Sequence, residues 1–173
     1  MDKIIEVDFN DRSIKEITKE DAHKHGTMHR AFSAILYKGS SILIQRRAYD
    51  KYHCGGLWTN TCCSHPRWNE DLYYAVKRRL EEEMGIANAE LKEIFSFTYY
   101  YKFENGLAEF EYDHVFVGEY NGEFKLNSNE VAEAKWVDID ELMEWMKSKP
   151  HEFTPWFVII LPKIKEVLKN NLD

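Results

Sequence analysis

Trp58-Thr59-Asn60-Thr61-Cys62-Cys63-Ser64-His65-Pro66 leads almost directly into Asn69–Gly85, an acidic segment that carries two arginines. Thr and Cys dominate the first piece, which reads as extended. The second reads as the clearest helix in the chain. Leu72, Val76 and Leu80 recur every four residues and form one apolar stripe. Asn69 fits an N-cap, with Glu70 and Asp71 in a first turn whose dipole favours anions, and Gly85 fits a terminator. If Thr61–His65 is extended, its side chains alternate. Cys63 and His65 then share one face, and Cys62 and Ser64 the other. On that parity Cys63 is the thiol that shares a site with His65, and Cys62 is a small core residue. From these residues alone, a core thiol and a site thiol weigh equally for Cys63.

Working outward, Ile4–Phe9 reads as a short strand and Asn10-Asp11 as a turn. Thr18–Asp21 opens a short helical turn carrying His23, His25 and His29. Ala31–Tyr37 and Ser41–Gln45 flank Lys38-Gly39-Ser40 in a hairpin pattern. Downstream, Ala89–Tyr101 and Ala108–Tyr120 flank Glu104-Asn105-Gly106 as a second strand pair, and Glu133–Val137 is a last short strand. Asp138–Lys147 and Pro155–Asn170 read as helices, the second kinked near Pro162. Strands, one central helix, strands and then helices predict an α/β (α+β) domain: mixed β-sheets with flanking helices, spanning 1–173 as one unit.

A chain of 173 residues with 44% hydrophobic content is long enough to bury a core without disulfides or a structural metal. A net charge of −7 argues against a nucleic-acid surface but not against a local basic pocket for a small anion. Three cysteines, two of them adjacent, suit a reducing compartment better than a disulfide framework. Met1–Asn10 lacks the basic and apolar regions of a secretory signal, and Trp156–Leu161 is too short to span a bilayer. The expectation is a soluble cytoplasmic protein with no nucleic-acid or membrane partner.

Glu109 and Glu111 fall on one face of their strand. Alone they read as solvated glutamates. With the histidines they form a donor set suited to Zn²⁺ or Mn²⁺, although exposed histidines in a polar turn weigh about as much. Arg79 and Glu83 share a helix face. Glu81, Glu82 and Glu83 crowd negative charge where the helix dipole opposes it, which hints at a metal or cationic ligand.

With these residues in place, the chain resembles the type I, metal-dependent isopentenyl-diphosphate isomerases, a branch of the Nudix superfamily. The resemblance runs roughly from Lys19 to Trp156. It rests on His23-x5-His29-Arg-Ala-Phe-Ser, Gln45-Arg-Arg-Ala, Gly56–Pro66, Arg78–Gly85, Glu109-x-Glu111 and Thr154-Pro-Trp156. The Nudix box is G-x5-E-x7-R-E-U-x-E-E-x-G-U, with U an aliphatic residue. Glu70, Arg78, Leu80, Glu82, Glu83, Gly85 and Ile86 fall on its marked positions. Ser64 replaces the first Gly, and Arg79 replaces the glutamate of the R-E pair. A guanidinium there repels gathered cations and suits phosphate oxygens, so the departure favours holding a diphosphate over cleaving it.

The resemblance implies a Nudix-like core at about 30–150 with N-terminal and C-terminal additions. It implies interconversion of isopentenyl and dimethylallyl diphosphate, an allylic and homoallylic pair, with a Nudix pyrophosphohydrolase of a nucleotide diphosphate as the alternative. It assigns proton transfer to Cys63 and Glu111, with Tyr99 hydrogen-bonding the glutamate. One Zn²⁺, Mn²⁺ or Mg²⁺ falls to His23, His29, His65, Glu109 and Glu111, with His25 as the alternative to His23. Glu83 falls to a Mg²⁺ on the diphosphate. Lys19, Arg47, Lys51 and Arg79 fall to the diphosphate, and Trp156 to the hydrocarbon. A monomer or weak homodimer is expected.

Overall fold

In the computed structural model, residues 3–172 are described. Met1, Asp2 and Asp173 lie outside the described residues, as do those positions of the 1–173 domain reading and of the signal-peptide reading of Met1–Asn10. The elements in chain order are β1 (Lys3–Val7), β2 (Ser13–Thr18), α1 (Lys19–His25), β3 (His29–Lys38), β4 (Ser41–Arg47), β5 (Trp58–Thr59) and β6 (Cys62–Ser64). Then come α2 (Leu72–Met84), β7 (Lys92–Lys102), β8 (Ala108–Glu119), β9 (Val131–Asp138), α3 (Ile139–Ser148) and α4 (Pro155–Leu172). This is the mixed sheet with flanking helices expected of the sequence.

Strand β3 is the hub. It pairs antiparallel with β1, β4 and β6 and parallel with β8, while β7 extends β8 and β9 extends β4. Alternation along β3 sends Phe32, Ala34 and Leu36 into one core with Ala75, Val76, Leu80 and Met84 of α2. Ile35 points the other way, with Val115 and Val117 of β8, into a second core against α3 and α4. Helices therefore cover both faces of the sheet.

Two local readings are corrected. Helix α2 begins at Leu72, and its N-cap is Asp71, whose side chain accepts from the Tyr74 amide; Asn69 sits before it at a φ of 64°. Glu70 stays outside the first turn because its carboxylate takes the Arg67 amide at 2.7 Å and two Arg78 nitrogens at 2.6 and 2.9 Å. The other end is as read, with Gly85 at a φ of 67° closing the helix. The second correction is β2, a largely exposed edge strand absent from the sequence reading, where burial leaves no alternation to see.

Candidate active site

The site is built on one face of β8. Glu109, Glu111, Asp113, Val115 and Val117 alternate onto that face; the last two enter the core and the first three are buried acids. Parallel pairing sets His29, the first residue of β3, opposite Glu111, and antiparallel pairing sets Tyr99 of β7 on its other side. Cys63 of β6 pairs with Ser33 of β3, which places it on the same face, and His65 follows two residues later. Helix α1 brings His23 in from above, while His25 is exposed and takes no part.

Ligand atoms of His23, His29, His65, Glu109 and Glu111 all lie within 4.8 Å of one another. His23 Nε2, His29 Nε2 and Glu109 Oε2 are buried without a hydrogen-bond partner among the described residues. Yet Glu109 Oε2 lies 3.0 Å from His23 Nε2 and 3.7 Å from His29 Nε2. Glu111 Oε1 lies 2.9 Å from His65 Nε2 and 3.5 Å from His29 Nε2. The far ends of these groups are tied. His29 Nδ1 donates to the Thr27 carbonyl at 2.8 Å, His23 Nδ1 meets the Tyr52 hydroxyl, and Glu111 Oε2 accepts from the Tyr99 hydroxyl at 2.7 Å. Converging bare atoms with anchored far ends are what a divalent cation with nitrogen and oxygen ligands requires, so the residues fit such an ion.

Charge in this cluster is set by burial and by near neighbours. Burial works against Glu109, but His23 and His53 hold its carboxyl well below the usual range. Glu111 is opposed by burial and by Glu109, and is lowered by His29 and His65. Burial pushes His65 down to about 3 and Tyr99 well up. Cys63 is pushed up to about 12 by burial against the pull of Arg47, so it rests as a thiol. Arg47 Nη1 and Thr59 Oγ1 each stand 3.9 Å from its sulfur.

Two neighbouring cavities lie here and share lining residues. The inner one, about 30 Å³, is lined by Cys63, Glu111, Glu109, His53, Arg47 and Trp156 among others. Trp156 is nearly buried, and its indole N–H donates to Thr59 Oγ1 at 3.0 Å. The outer one, about 410 Å³, is lined by Lys19, Arg47, Lys51, Arg67, Arg79 and Glu83 among others. Cys63, His65, Arg47 and Lys19 border both.

The sequence-derived residues thus fall into two groups. His65, Glu109, Glu111, Cys63 and Trp156 line the inner pocket, with His23 and His29 converging on the two glutamates and Tyr99 hydrogen-bonded to Glu111; Glu83 and the four cations line the outer one, where Lys19 and Arg47 reach both. Cys62 packs on the opposite face, in the core beneath α2, as parity requires. Two of the three crowded glutamates of α2, Glu82 and Glu83, are answered by arginines. Arg79 Nη2 stands 2.5 Å from Glu83 Oε1, and Glu82 is paired with Arg78 and Arg79. Gln45 Nε2 donates to the other Glu83 oxygen at 2.9 Å.

The lining residues that escaped the sequence reading include Tyr52, His53, Arg67 and Glu130, whose carboxylate contacts both Lys51 and Arg79. None has a spacing signal, and only the adjacency of Tyr52-His53 to Lys51 gave a clue.

A protein-family profile described as NUDIX domain matches residues 27–157. The chain is 45% identical over 164 residues to isopentenyl-diphosphate Delta-isomerase 2 of Aromatoleum aromaticum, covering 94% of this chain and 86% of that one. It is 46% identical over 157 residues to isopentenyl-diphosphate Delta-isomerase of Burkholderia multivorans, covering 90% and 89%. Among solved structures, a Deinococcus radiodurans protein matches with a TM-score of 0.69 at 16% identity, over 84% of this chain and 89% of that one. The MutT protein of Methanosarcina mazei matches with a TM-score of 0.65 at 17% identity, over 82% and 96%. At those identities the structural matches speak to the fold alone.

Proposed function

The chain belongs to the isopentenyl-diphosphate Delta-isomerase family within the NUDIX fold, and from that premise we propose that it interconverts isopentenyl and dimethylallyl diphosphate by protonation and deprotonation. The observation that carries this reading is a thiol and a carboxylate lining one small pocket that shares Lys19, Arg47, Cys63 and His65 with a basic cavity.

Moving a double bond one carbon along needs one proton delivered and a different one removed, with no net redox change. Cys63 enters as a thiol, and Glu111, held by the Tyr99 hydroxyl, is the second transfer group. Trp156, whose ring centroid lies 5.6 Å from the Arg47 guanidinium carbon, lines the same pocket and would offer π density to the positive charge that develops between the two steps. The tight pocket keeps out the water that would capture that charge. Lys19, Arg47, Lys51 and Arg79 hold the diphosphate in the outer cavity, so the short hydrocarbon is placed by its charged end. His23, His29, His65, Glu109 and Glu111 would hold one Zn²⁺, Mn²⁺ or Mg²⁺, whose positive charge would fix Glu111 and tune its acidity. Glu83, which lines the outer cavity, would hold a Mg²⁺ carried by the diphosphate.

Hydrolysis of a nucleotide diphosphate is the second reading, and the Nudix box itself weakens it. Arg79 occupies a position that would otherwise bring another carboxylate, and its positive charge there opposes the gathering of several cations. We take the whole chain as one domain, a monomer or weak homodimer. We take its compartment to be the cytoplasm, on its three free cysteines; no described helix is long and apolar enough to cross a membrane.

Incubation with isopentenyl diphosphate and Mg²⁺ in D₂O, followed by NMR, is the test. Deuterated dimethylallyl diphosphate is expected. Released phosphate without isomerised product would replace this reading with the hydrolase.

A further inference from the structure

We propose that His53 and Tyr52 are positioning residues of the metal centre, holding Glu109 and His23 from outside the ligand set. The proposal rests on the metal-centre reading given above. Both residues lie in the loop between β4 and β5, which is folded tightly on itself. Cys54 and Gly56 have φ values of 52° and 75°, and a Cβ at Gly55 would stand 2.6 Å from the Tyr49 carbonyl oxygen. That backbone presents three consecutive side chains to the site. Lys51 reaches Glu130 at the outer cavity, the Tyr52 hydroxyl meets His23 Nδ1, and His53 Nε2 stands 2.9 Å from Glu109 Oε1.

His53 is buried. Its ring stacks on Phe103 at 5.4 Å and 10°, with Trp156 edge-on at 6.4 Å. Neither ring nitrogen has an aligned hydrogen-bond partner among the described residues. A buried imidazole left in that state is costly, and proteins tolerate such groups where a site uses them. The atom within reach is Glu109 Oε1, the carboxylate oxygen turned away from the converging ligand atoms. Holding Oε1 on His53 leaves Oε2 for the cation. Tyr52 does the same for the neighbouring ligand: its hydroxyl at Nδ1 orients the His23 ring with Nε2 toward Glu109.

The experiment is a Co²⁺ titration, followed by the visible absorption of the bound ion, on the wild type, His29→Ala, His53→Ala, His53→Gln and Tyr52→Phe. Turnover in D₂O is read on the same preparations. Loss of an outer partner typically weakens metal binding about 10- to 100-fold, and that range is expected for His53→Ala. His53→Gln, which retains an N–H of similar reach, should recover most of it, and Tyr52→Phe should lose about tenfold or less. His53→Phe keeps the stacked ring without its nitrogens; it carries the same expectation if the alanine variant does not fold. Unchanged Co²⁺ affinity in His53→Ala or His53→Phe overturns the proposal. So does a loss as complete as in His29→Ala without recovery by Gln, because His53 would then be a ligand itself. A wild type that takes up no Co²⁺ overturns it as well. A wild type that binds Co²⁺ but isomerises nothing removes the proposed function instead, and leaves the positioning role to be judged on the affinities.

Discussion

The two faces of β8 carry histidine–carboxylate clusters of similar composition and opposite character. On one face His23, His29, His65, Glu109 and Glu111 converge, with three buried atoms left bare. On the other, His114 meets Glu93 through Nδ1 at 2.6 Å and Asp11 through Nε2 at 3.0 Å, while Arg30 Nε stands 2.7 Å from the second Asp11 oxygen. There both ring nitrogens are answered by carboxylates. The outer cluster is complete as it stands and ties the β1–β2 turn to the sheet. The inner one leaves buried ligand atoms unanswered, in an arrangement that could hold a cation. Residue type alone does not distinguish them; the presence of bare, converging, anchored atoms does.

The strongest way to break this comparison is the same conservative change on each face. Glu111→Gln should cut kcat by about 10²- to 10⁴-fold, the range for losing a proton-transfer group. Glu93→Gln should leave kcat within about twofold, since it touches none of the reacting groups. Isomerisation followed by NMR decides; equal losses in the two variants would merge the clusters into one functional unit.

The adjacent cysteines sharpen the contrast on β6. Cys63→Ala is expected to abolish turnover, a loss of about 10²-fold or more. Cys62→Ala should keep most of it and lose stability instead, because Cys62 is fully buried beneath α2. Turnover and thermal unfolding measured together check both, and the reverse pattern would refute the parity assignment.

Metal addition is the third comparison. Zn²⁺ or Mn²⁺ at about 100 times its Kd should stabilise the folded chain by about 2.7 kcal/mol, or roughly 5–10 °C in Tm. A chelator should reverse the shift, His29→Ala should abolish it, and His114→Asn should retain it. Calorimetric scans with and without the ion measure all four.

The smallest effect belongs to the outer face. Burial lowers the His114 pKa, but Asp11 and Glu93 outweigh it and leave the group raised above its ordinary 6.5. Tyr112 packs beside the ring, and Arg30 shares Asp11. A raised folded value means the stabilisation is fully present below the unfolded pKa and lost as pH rises through the folded one. Partly exposed, the cluster is worth under about 1 kcal/mol. His114→Asn should therefore flatten the decline in Tm above about pH 6.5. An unchanged slope would detach the decline from His114.

Much of this was legible before any fold was known, for identifiable reasons. The Leu72, Val76 and Leu80 stripe marks α2 because a helix returns a side chain to the same face every four residues, and those residues do meet the sheet. Alternation separated Cys62 from Cys63, and Glu109 from Phe110, because a strand has a period of two. The N-cap was misread at Asn69 because the choice turns on where Glu70 finds its partner, and that partner, Arg78, lies two turns into the helix. His23 could be separated from His25 only by the docking of α1 against β8.

By itself, then, the sequence determined most of the periodic elements, the face of each candidate residue on β6 and β8 and the set of chemical groups available, since these follow from local backbone geometry. Only the tertiary structure decided which of those groups meet. The parallel pairing of β3 with β8 joins His29 to Glu111, and the folded loop sets His53 against Glu109, 56 positions away. Such contacts depend on strand order and burial, which no local repeat encodes. Burial also decides their chemistry: it takes ordinary histidines, glutamates and a thiol out of water and leaves each to be charged or neutral by its nearest neighbours.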